Sequence, residues 1–210
     1  MAREIELKLA VPDAALAALA AWLDANGQPR GPRDGTTVLN VYLDTPARDL
    51  AQARAALRLR KMGEQWLQTL KTAGQSSGGL AARQEWETEV AGEAIDLARF
   101  ADDARAVLAP LVDRLGPVFR TDFVRRKWIV EQDGERIEAA LDCGTISAPG
   151  TARTERIQEL ELEWLPRDGA DDSHAEAALR ACARRLAHVA PLTPSDLSKA
   201  ARGYRLTSAT

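Results

Sequence analysis

The sequence predicts an α+β fold: about eight mostly antiparallel strands, able to close into a β-barrel, with helices flanking some of them. Two charged ladders, Glu4-Ile5-Glu6-Leu7-Lys8 and Glu159-Leu160-Glu161-Leu162-Glu163, alternate charge with apolar side chains, the period of a strand with one buried face. Tight turns at Met62-Gly63-Glu64 and Asp133-Gly134 join alternating segments into hairpins. Between the strands lie Ala/Leu-rich segments with apolar residues at helical spacing. Eight strands close into a barrel whose lumen admits side chains or one small ligand. The 210 residues are read as a single domain, 1–210.

Each element has its own signal. The first strand, Arg3 to Ala10, stops at Val11-Pro12-Asp13. Asp13 is expected to cap a helix in which Leu16, Leu19, Ala20 and Leu23 recur up to Asn26-Gly27. A strand rich in β-formers, Thr36 to Leu43, ends at Asp44-Thr45-Pro46, and a short turn or helix holds Leu50. The hairpin Leu57-Arg58-Leu59-Arg60-Lys61 to Trp66 through Lys71 leads into Thr72–Gly79, expected to be a mobile Gly/Ser loop. Arg83 to Val90 alternates again, and a helical region, 96–115, is expected to break at Pro110. Val118–Glu131 and Arg136–Ser147 form a long hairpin, followed by the second glutamate ladder, a helix from Ser173 to Ala187, and a Pro-punctuated tail holding Ser195, Lys199, Arg202 and Tyr204.

Composition narrows the function. A formal net charge of -3 gives no global basic field, which disfavours a general nucleic-acid binder. No apolar run is long enough for a membrane helix, and the charged N-terminus does not read as a signal peptide. Cys143 and Cys182 are too few for a disulfide scaffold or a zinc cluster. A cytoplasmic protein is expected, with a homodimer a plausible assembly.

Positive groups recur at strand parity: Lys8, Arg58, Arg60, Lys71, Arg83 and Arg125, with Lys199 in the tail. Facing one space they would repel unless a polyanion lay between them, and Glu4, Glu6, Glu85, Glu159 and Glu161 would offset part of that repulsion. Hard carboxylate oxygens without His or Cys partners select Mg²⁺ or Mn²⁺ over zinc. Taken singly, each of these strands reads first as the wet face of an ordinary amphipathic sheet; the set of paired acids and paired arginines raises a charged lumen beside it. The five tryptophans fall mostly on the opposite parity and read as packing between barrel and helices.

The ordered series resembles the CYTH superfamily, the triphosphate tunnel metalloenzymes, over about residues 3 to 205. The motifs are Glu4-x-Glu6-x-Lys8, Asn40-x-Tyr42-x-Asp44-Thr45-Pro46, Leu57-Arg58-x-Arg60, Thr69-Leu70-Lys71, Arg83-x-Glu85, Arg125, Asp142-x-Gly144, Glu159-x-Glu161 and Ser198-Lys199. The resemblance implies an eight-stranded antiparallel barrel forming a tunnel for linear triphosphates. It implies Lys8, Arg58, Arg60, Lys71, Arg83, Arg125 and Lys199 as phosphate ligands and Glu4, Glu6, Glu159 and Glu161 as metal ligands. Glu4, Glu6, Lys8 and Lys71 become the catalytic set, with Glu85, Asp142 and Tyr42 in support. Glu163, Arg120 and Lys127 have compatible chemistry, and Glu87 and Glu89 share the parity of Glu85 but are expected beyond the tunnel.

The activity implied is hydrolysis of inorganic triphosphate to pyrophosphate and phosphate with Mg²⁺ or Mn²⁺. Alternatives are a class IV adenylyl cyclase, a nucleoside or thiamine triphosphatase, or a non-catalytic polyphosphate-binding module. Thiamine-specific relatives carry tryptophan where this chain has Ala56, and bacterial inorganic triphosphatases often carry a C-terminal histidine-rich helical domain that is not expected here.

Overall fold

The computed structural model describes residues 2–72, 74–166 and 172–208, with only the backbone of Ala2 and Arg3; Ala73 of the predicted loop lies outside the described residues. Eight strands form the wall: β1 (Ala2–Ala10), β2 (Thr36–Asp44), β3 (Ala56–Met62), β4 (Gln65–Lys71), β5 (Leu80–Val90), β6 (Gly116–Gln132), β7 (Glu135–Ser147) and β8 (Thr154–Leu165). Their order around the wall is β1-β8-β7-β6-β2-β3-β4-β5 and back to β1, every pair antiparallel. The sheet is therefore a closed barrel, as the eight alternating segments predict, and inward and outward residues alternate around it.

Local chemistry explains the tight connections. At the β6–β7 turn Asp133 and Gly134 have φ of 54° and 82°, the left-handed pair that matches the twist of a two-residue hairpin. Asp44 ends β2 by accepting from the backbone N–H groups of Thr45 (2.7 Å), Leu50 (2.9 Å) and Ala51 (3.0 Å), which fixes the one-turn helix Asp49–Gln52 against the wall.

The outward faces bury two apolar clusters. Helix α1 (Leu16–Asn26) and the later helix Ala175–Ala187 cover one flank, with Leu19, Leu23, Leu179 and Leu186 against Leu7, Trp128, Leu160 and Leu162. Helix α2 (Asp102–Leu108) covers another with Leu50, Leu57, Leu70, Trp86 and Phe100. Each such fully buried large side chain contributes about 1.5–3 kcal/mol. We label Ala175–Ala187 α3 and the terminal helix, Lys199–Ser208, α4. Among the described residues no helix is long and apolar enough to cross a membrane.

The barrel interior has two halves. One is filled by Val38, Tyr42, Phe119, Phe123, Ile146 and Ile157, against which α4 lays Ala200, Tyr204 and Leu206. A Cβ at Gly203 would stand 2.1 Å from the Phe119 ring, so glycine is what lets the helix seat. The other half is charged.

Three local expectations are corrected. Asp13 makes no helix cap; a short 3₁₀ turn precedes α1, and Asp13 pairs with Arg156 on β8 at 2.7 Å. The Gly/Ser loop is partly ordered sheet, because Gln75–Ser77 pairs with β5 and Asp196 clamps it through Ser76 Oγ (2.7 Å) and Gly79 N–H (2.9 Å). The Pro-punctuated tail contains α4. Its prolines precede the helix, and Ser198 Oγ accepts from Ala201 N–H at its start. The break near Pro110 falls between α2 and a 3₁₀ turn, as predicted.

Candidate active site

The charged half of the lumen is a cavity of about 1000 Å³. Register explains its lining: Lys8 stands opposite Glu161, Glu6 opposite Glu163, Glu4 opposite Arg83, and Arg125 opposite Asp142. Lys8, Arg58, Arg60, Lys71, Arg83, Arg125 and Lys199 all line it, drawn from β1, β3, β4, β5, β6 and α4. Their parity points them inward, where the opposite parity of the same strands feeds the outer clusters.

The cations hold one another apart through carboxylates. Lys71 Nζ reaches Glu4 at 2.7 Å and Glu85 at 3.1 Å. Arg83 donates to Glu4 (3.2 Å) and to Glu6. Arg125 forks onto Asp142 (2.7 and 2.6 Å) and also reaches Glu161 (2.5 Å). The second cluster lies at α4, where Lys199 Nζ sits 2.6 Å from Asp142, 2.5 Å from Glu159 and 2.9 Å from Glu161. Arg202 closes the far side of Glu159 at 2.9 Å.

The four acids expected on a metal thus fall into two groups. Glu4 and Glu6 lie with Lys71 and Arg83, while Glu159 and Glu161 join Asp142. Oxygens of Asp142, Glu159 and Glu161 all lie within 4.8 Å of one another, a hard-oxygen set that suits a divalent ion of the Mg²⁺ type. Tyr42 is buried, cross-strand from Arg58, and stacks on Phe119 with centroids 4.4 Å apart.

The pairing is looser around Arg58 and Arg60. Arg58 sees Glu85 and Glu87 at 3.7 Å, Arg60 sees Glu87 at 3.8 Å, and the buried Arg58 Nε has no hydrogen-bond acceptor among the described residues. Asn40 accepts from Arg60 Nε at 2.9 Å. Burial, then the charges of Arg58 and Arg125, pull the Arg60 guanidinium down to about 10. This pole of the cavity is therefore short of negative charge.

Another part of the lining is acidic. Glu163 and Glu138 are cross-strand neighbours there, with Glu4 close by and Lys127 paired to Glu138 at 2.6 Å. Burial, then the nearby Glu4 and Glu138, push the Glu163 carboxyl up to about 7. Glu161 goes the other way. Burial raises its pKa, but Lys199, Arg125 and Lys8 outweigh that and hold it well below the usual carboxylate range. Lys199 is held above the ordinary lysine value, its own burial outweighed by Asp142, Glu161 and Glu159.

Of the residues given compatible chemistry, Lys127 and Glu163 line the cavity; Glu87, expected beyond the tunnel, lines it too and accepts from Thr69 Oγ1 at 2.8 Å. Arg120 does not. It lies on the outward parity of β6 and pairs with Asp122 on the surface at 2.9 Å. Glu89 is exposed beyond the cavity. Sequence reasoning missed Glu138, although its spacing of four from Asp142 on one strand puts it on the same face. Trp128, Trp164 and Trp86 are buried in the outer clusters, as expected. His174 and His188 are exposed, and Cys182 is buried.

A closed antiparallel barrel with paired cations and carboxylates inside defines a charged-tunnel protein. The CYTH domain model matches residues 2–204, and the chain belongs to that family. An inorganic triphosphatase of Haemophilus influenzae is 31% identical over 176 residues, covering 80% of this chain and 46% of that protein. The chain thus spans about half the length of that curated relative. Two solved structures share the fold. A putative adenylyl cyclase from Hippeastrum, described as having a dominant triphosphatase activity, has a TM-score of 0.64 at 21% identity, with 96% of this chain and 95% of that one covered. The PH1819 protein of Pyrococcus horikoshii has a TM-score of 0.63 at 18% identity, covering 96% and 98%.

Proposed function

We propose that this chain hydrolyses inorganic triphosphate to pyrophosphate and phosphate inside the tunnel, using Mg²⁺ or Mn²⁺. The observation that carries the reading is the convergence of cations from six separate elements on one cavity, with Lys71, Arg83, Arg125 and Lys199 already paired closely with carboxylates. An anion-binding pocket alone needs the cations only. A carboxylate partner for nearly every cation suits a ligand that arrives as a polyanion together with divalent cations. The triphosphatase named among the relatives supports the same reading.

The exchange works through the ion pairs. Phosphate oxygens that take Lys71 and Arg83 release Glu4 and Glu6, whose oxygens are then available to a divalent ion. Phosphates that draw Lys199 and Arg125 away do the same for Asp142, Glu159 and Glu161. A bound divalent ion supplies Lewis-acid neutralisation of phosphate oxygens. Arg58 and Arg60, the least neutralised cations, hold the chain of phosphates at the other pole, and Lys8 bridges the two groups from beside Glu161 at 3.9 Å. These fixed charges orient the anhydride and stabilise negative charge as it spreads over the transferred phosphoryl group.

The test is hydrolysis of tripolyphosphate, ATP and thiamine triphosphate by purified protein with Mg²⁺ or Mn²⁺. Tripolyphosphate should be turned over fastest, and a Glu4→Gln plus Glu6→Gln variant should lose at least about 100-fold in kcat/KM while still folding. Comparable turnover of ATP would sink the preference, and formation of cyclic AMP would replace the reaction class. Binding of tripolyphosphate without turnover by any divalent ion would leave a binding module.

A further inference from the structure

Three lumen arginines are held at Nε, and not all by the same chemistry. Arg83 Nε donates to Glu4 at 3.2 Å and Arg125 Nε to Asp142 at 2.7 Å, both carboxylates. Arg60 Nε donates instead to the side-chain amide of Asn40 at 2.9 Å. Asn40 stands cross-strand from Arg60 on β3 and from Thr121 on β6, and its Nδ2 donates to Thr121 Oγ1 at 2.8 Å. A guanidinium only donates, so the amide oxygen must face Arg60 and the amide nitrogen Thr121. Asn40 and Thr121 are fully buried and neither lines the cavity, whereas Arg60 does.

We propose that Asn40 is a positioning residue for polyanion binding: its amide fixes Arg60 in the cavity wall without cancelling the guanidinium charge, which is left for a phosphate. The inference rests on the triphosphatase reading of the tunnel and adds to it the group that directs one phosphate ligand. Holding Nε leaves the two Nη groups of the fork for phosphate oxygens, with Glu87 3.8 Å from Nη1. An aspartate at position 40 would make Arg60 an ion pair like Arg125 with Asp142, and an arriving phosphate would meet a second negative charge behind the fork. The electrostatics agree. Of Arg58, Arg60, Arg83 and Arg125, only Arg60 is held below the ordinary arginine value, by its burial and then by the charges of Arg58 and Arg125. In the other three burial is outweighed, at Arg58 by Tyr42 with Glu85 and Glu87, and at Arg83 and Arg125 by their carboxylates. A charge kept uncancelled in the wall is unfavourable in the empty protein and is offset when an anion arrives.

Calorimetric titration with tripolyphosphate in EDTA, beside thermal melts, tests this in Asn40→Asp, Thr121→Val and Thr121→Ser variants. Asn40→Asp keeps the shape of the side chain: its carboxylate accepts from Arg60, the Thr121 hydroxyl turns to donate to it, and buried Arg60 gains a counter-charge. This variant should melt no lower than the unmodified protein yet bind tripolyphosphate about tenfold more weakly. Thr121→Val removes the hydroxyl that anchors the amide, without touching the cavity, and should weaken binding about fivefold. Thr121→Ser keeps the hydroxyl and should stay within about twofold of the unmodified protein. A residue that only fills the wall would lower the melting temperature and leave the affinity alone. Folded Asn40→Asp that binds as tightly as the unmodified protein overturns the assignment. If Asn40→Asp does not fold, the Thr121 variants decide, and equal affinities for valine and serine there overturn it as well. Hydrolysis with Mg²⁺, measured in parallel, separates the two claims: turnover absent from the unmodified protein fails the triphosphatase reading, while the affinity ratios still judge Asn40.

Discussion

The two halves of the barrel interior are built from the same strands at the same parity, yet one is apolar and the other charged. On β8, Ile157 packs against Phe119 and α4, while Glu159, Glu161 and Glu163, the next inward positions, carry the charge. On β6 the change falls between Phe123 and Arg125, with the Arg125 guanidinium 5.5 Å over the Phe123 ring. Alternation decides which side chains point inward; it does not decide what the inside is filled with. That is settled by α4, whose apolar face seals one half and whose first residue, Lys199, reaches into the other.

The sharpest way to break this division is at Lys199. Replacing it with Met leaves Asp142, Glu159 and Glu161 buried without their shared cation, and should cost about 3–5 kcal/mol in urea unfolding. Mg²⁺ should restore part of that loss in Lys199→Met, which the unmodified protein would not show to the same degree. A variant as stable as the parent would mean that α4 only packs. Gly203→Ala strikes the apolar half instead. Its new Cβ meets the Phe119 ring, and a loss of about 1–3 kcal/mol is expected in thermal melts.

Glu163 sharpens the comparison through pH. Its folded pKa of about 7 lies above the ordinary carboxylate value, so ionisation is disfavoured by the fold. Its contribution is neutral below about pH 4.5 and destabilising as pH rises through 7. In EDTA, Glu163→Gln should therefore match the parent at pH 4 and exceed it by about 1–2 kcal/mol at pH 8, less than the full linkage value because the carboxyl borders an open cavity. A gain that is the same at both pH values would remove burial of the charge as the cause. The smallest effect belongs to Arg120→Ala on the outer wall, expected within about 0.5 kcal/mol and without change in hydrolysis.

Much of this was legible from the residues. The strand period puts Glu4, Glu6, Lys8, Arg58, Arg60, Arg83 and Arg125 on the face opposite the greasy one, while that this face lines a lumen and not the wet side of an open sheet came from the family resemblance. What was not legible is how distant inward charges partner. Glu159 and Glu4 carry the same chemistry at the same parity, and only the stagger of β8 against β1 assigns one to Lys199 and the other to Lys71. Helix α4 was obscured by Pro191 and Pro194, which made the whole tail read as irregular. Its signal lay just past them, in Ser198 at the cap and Ala200, Tyr204 and Leu206 on one face. Arg120 misled because its residue type suited a phosphate site, while its even number on β6 already placed it outside.

Closure of the barrel also carries a kinetic consequence. Strand β1 bonds on one side to β5 and on the other to β8, residues Thr154–Leu165. During synthesis its backbone can find one partner once β5 has emerged, but the other only after more than half the chain has followed. The Glu4–Lys8 segment, made first, is therefore the last wall to be sealed, and long-range pairing of this kind makes for slow folding. Until then it is an open sheet edge with a charged face, and those charges guard a nascent chain against pairing with its neighbours.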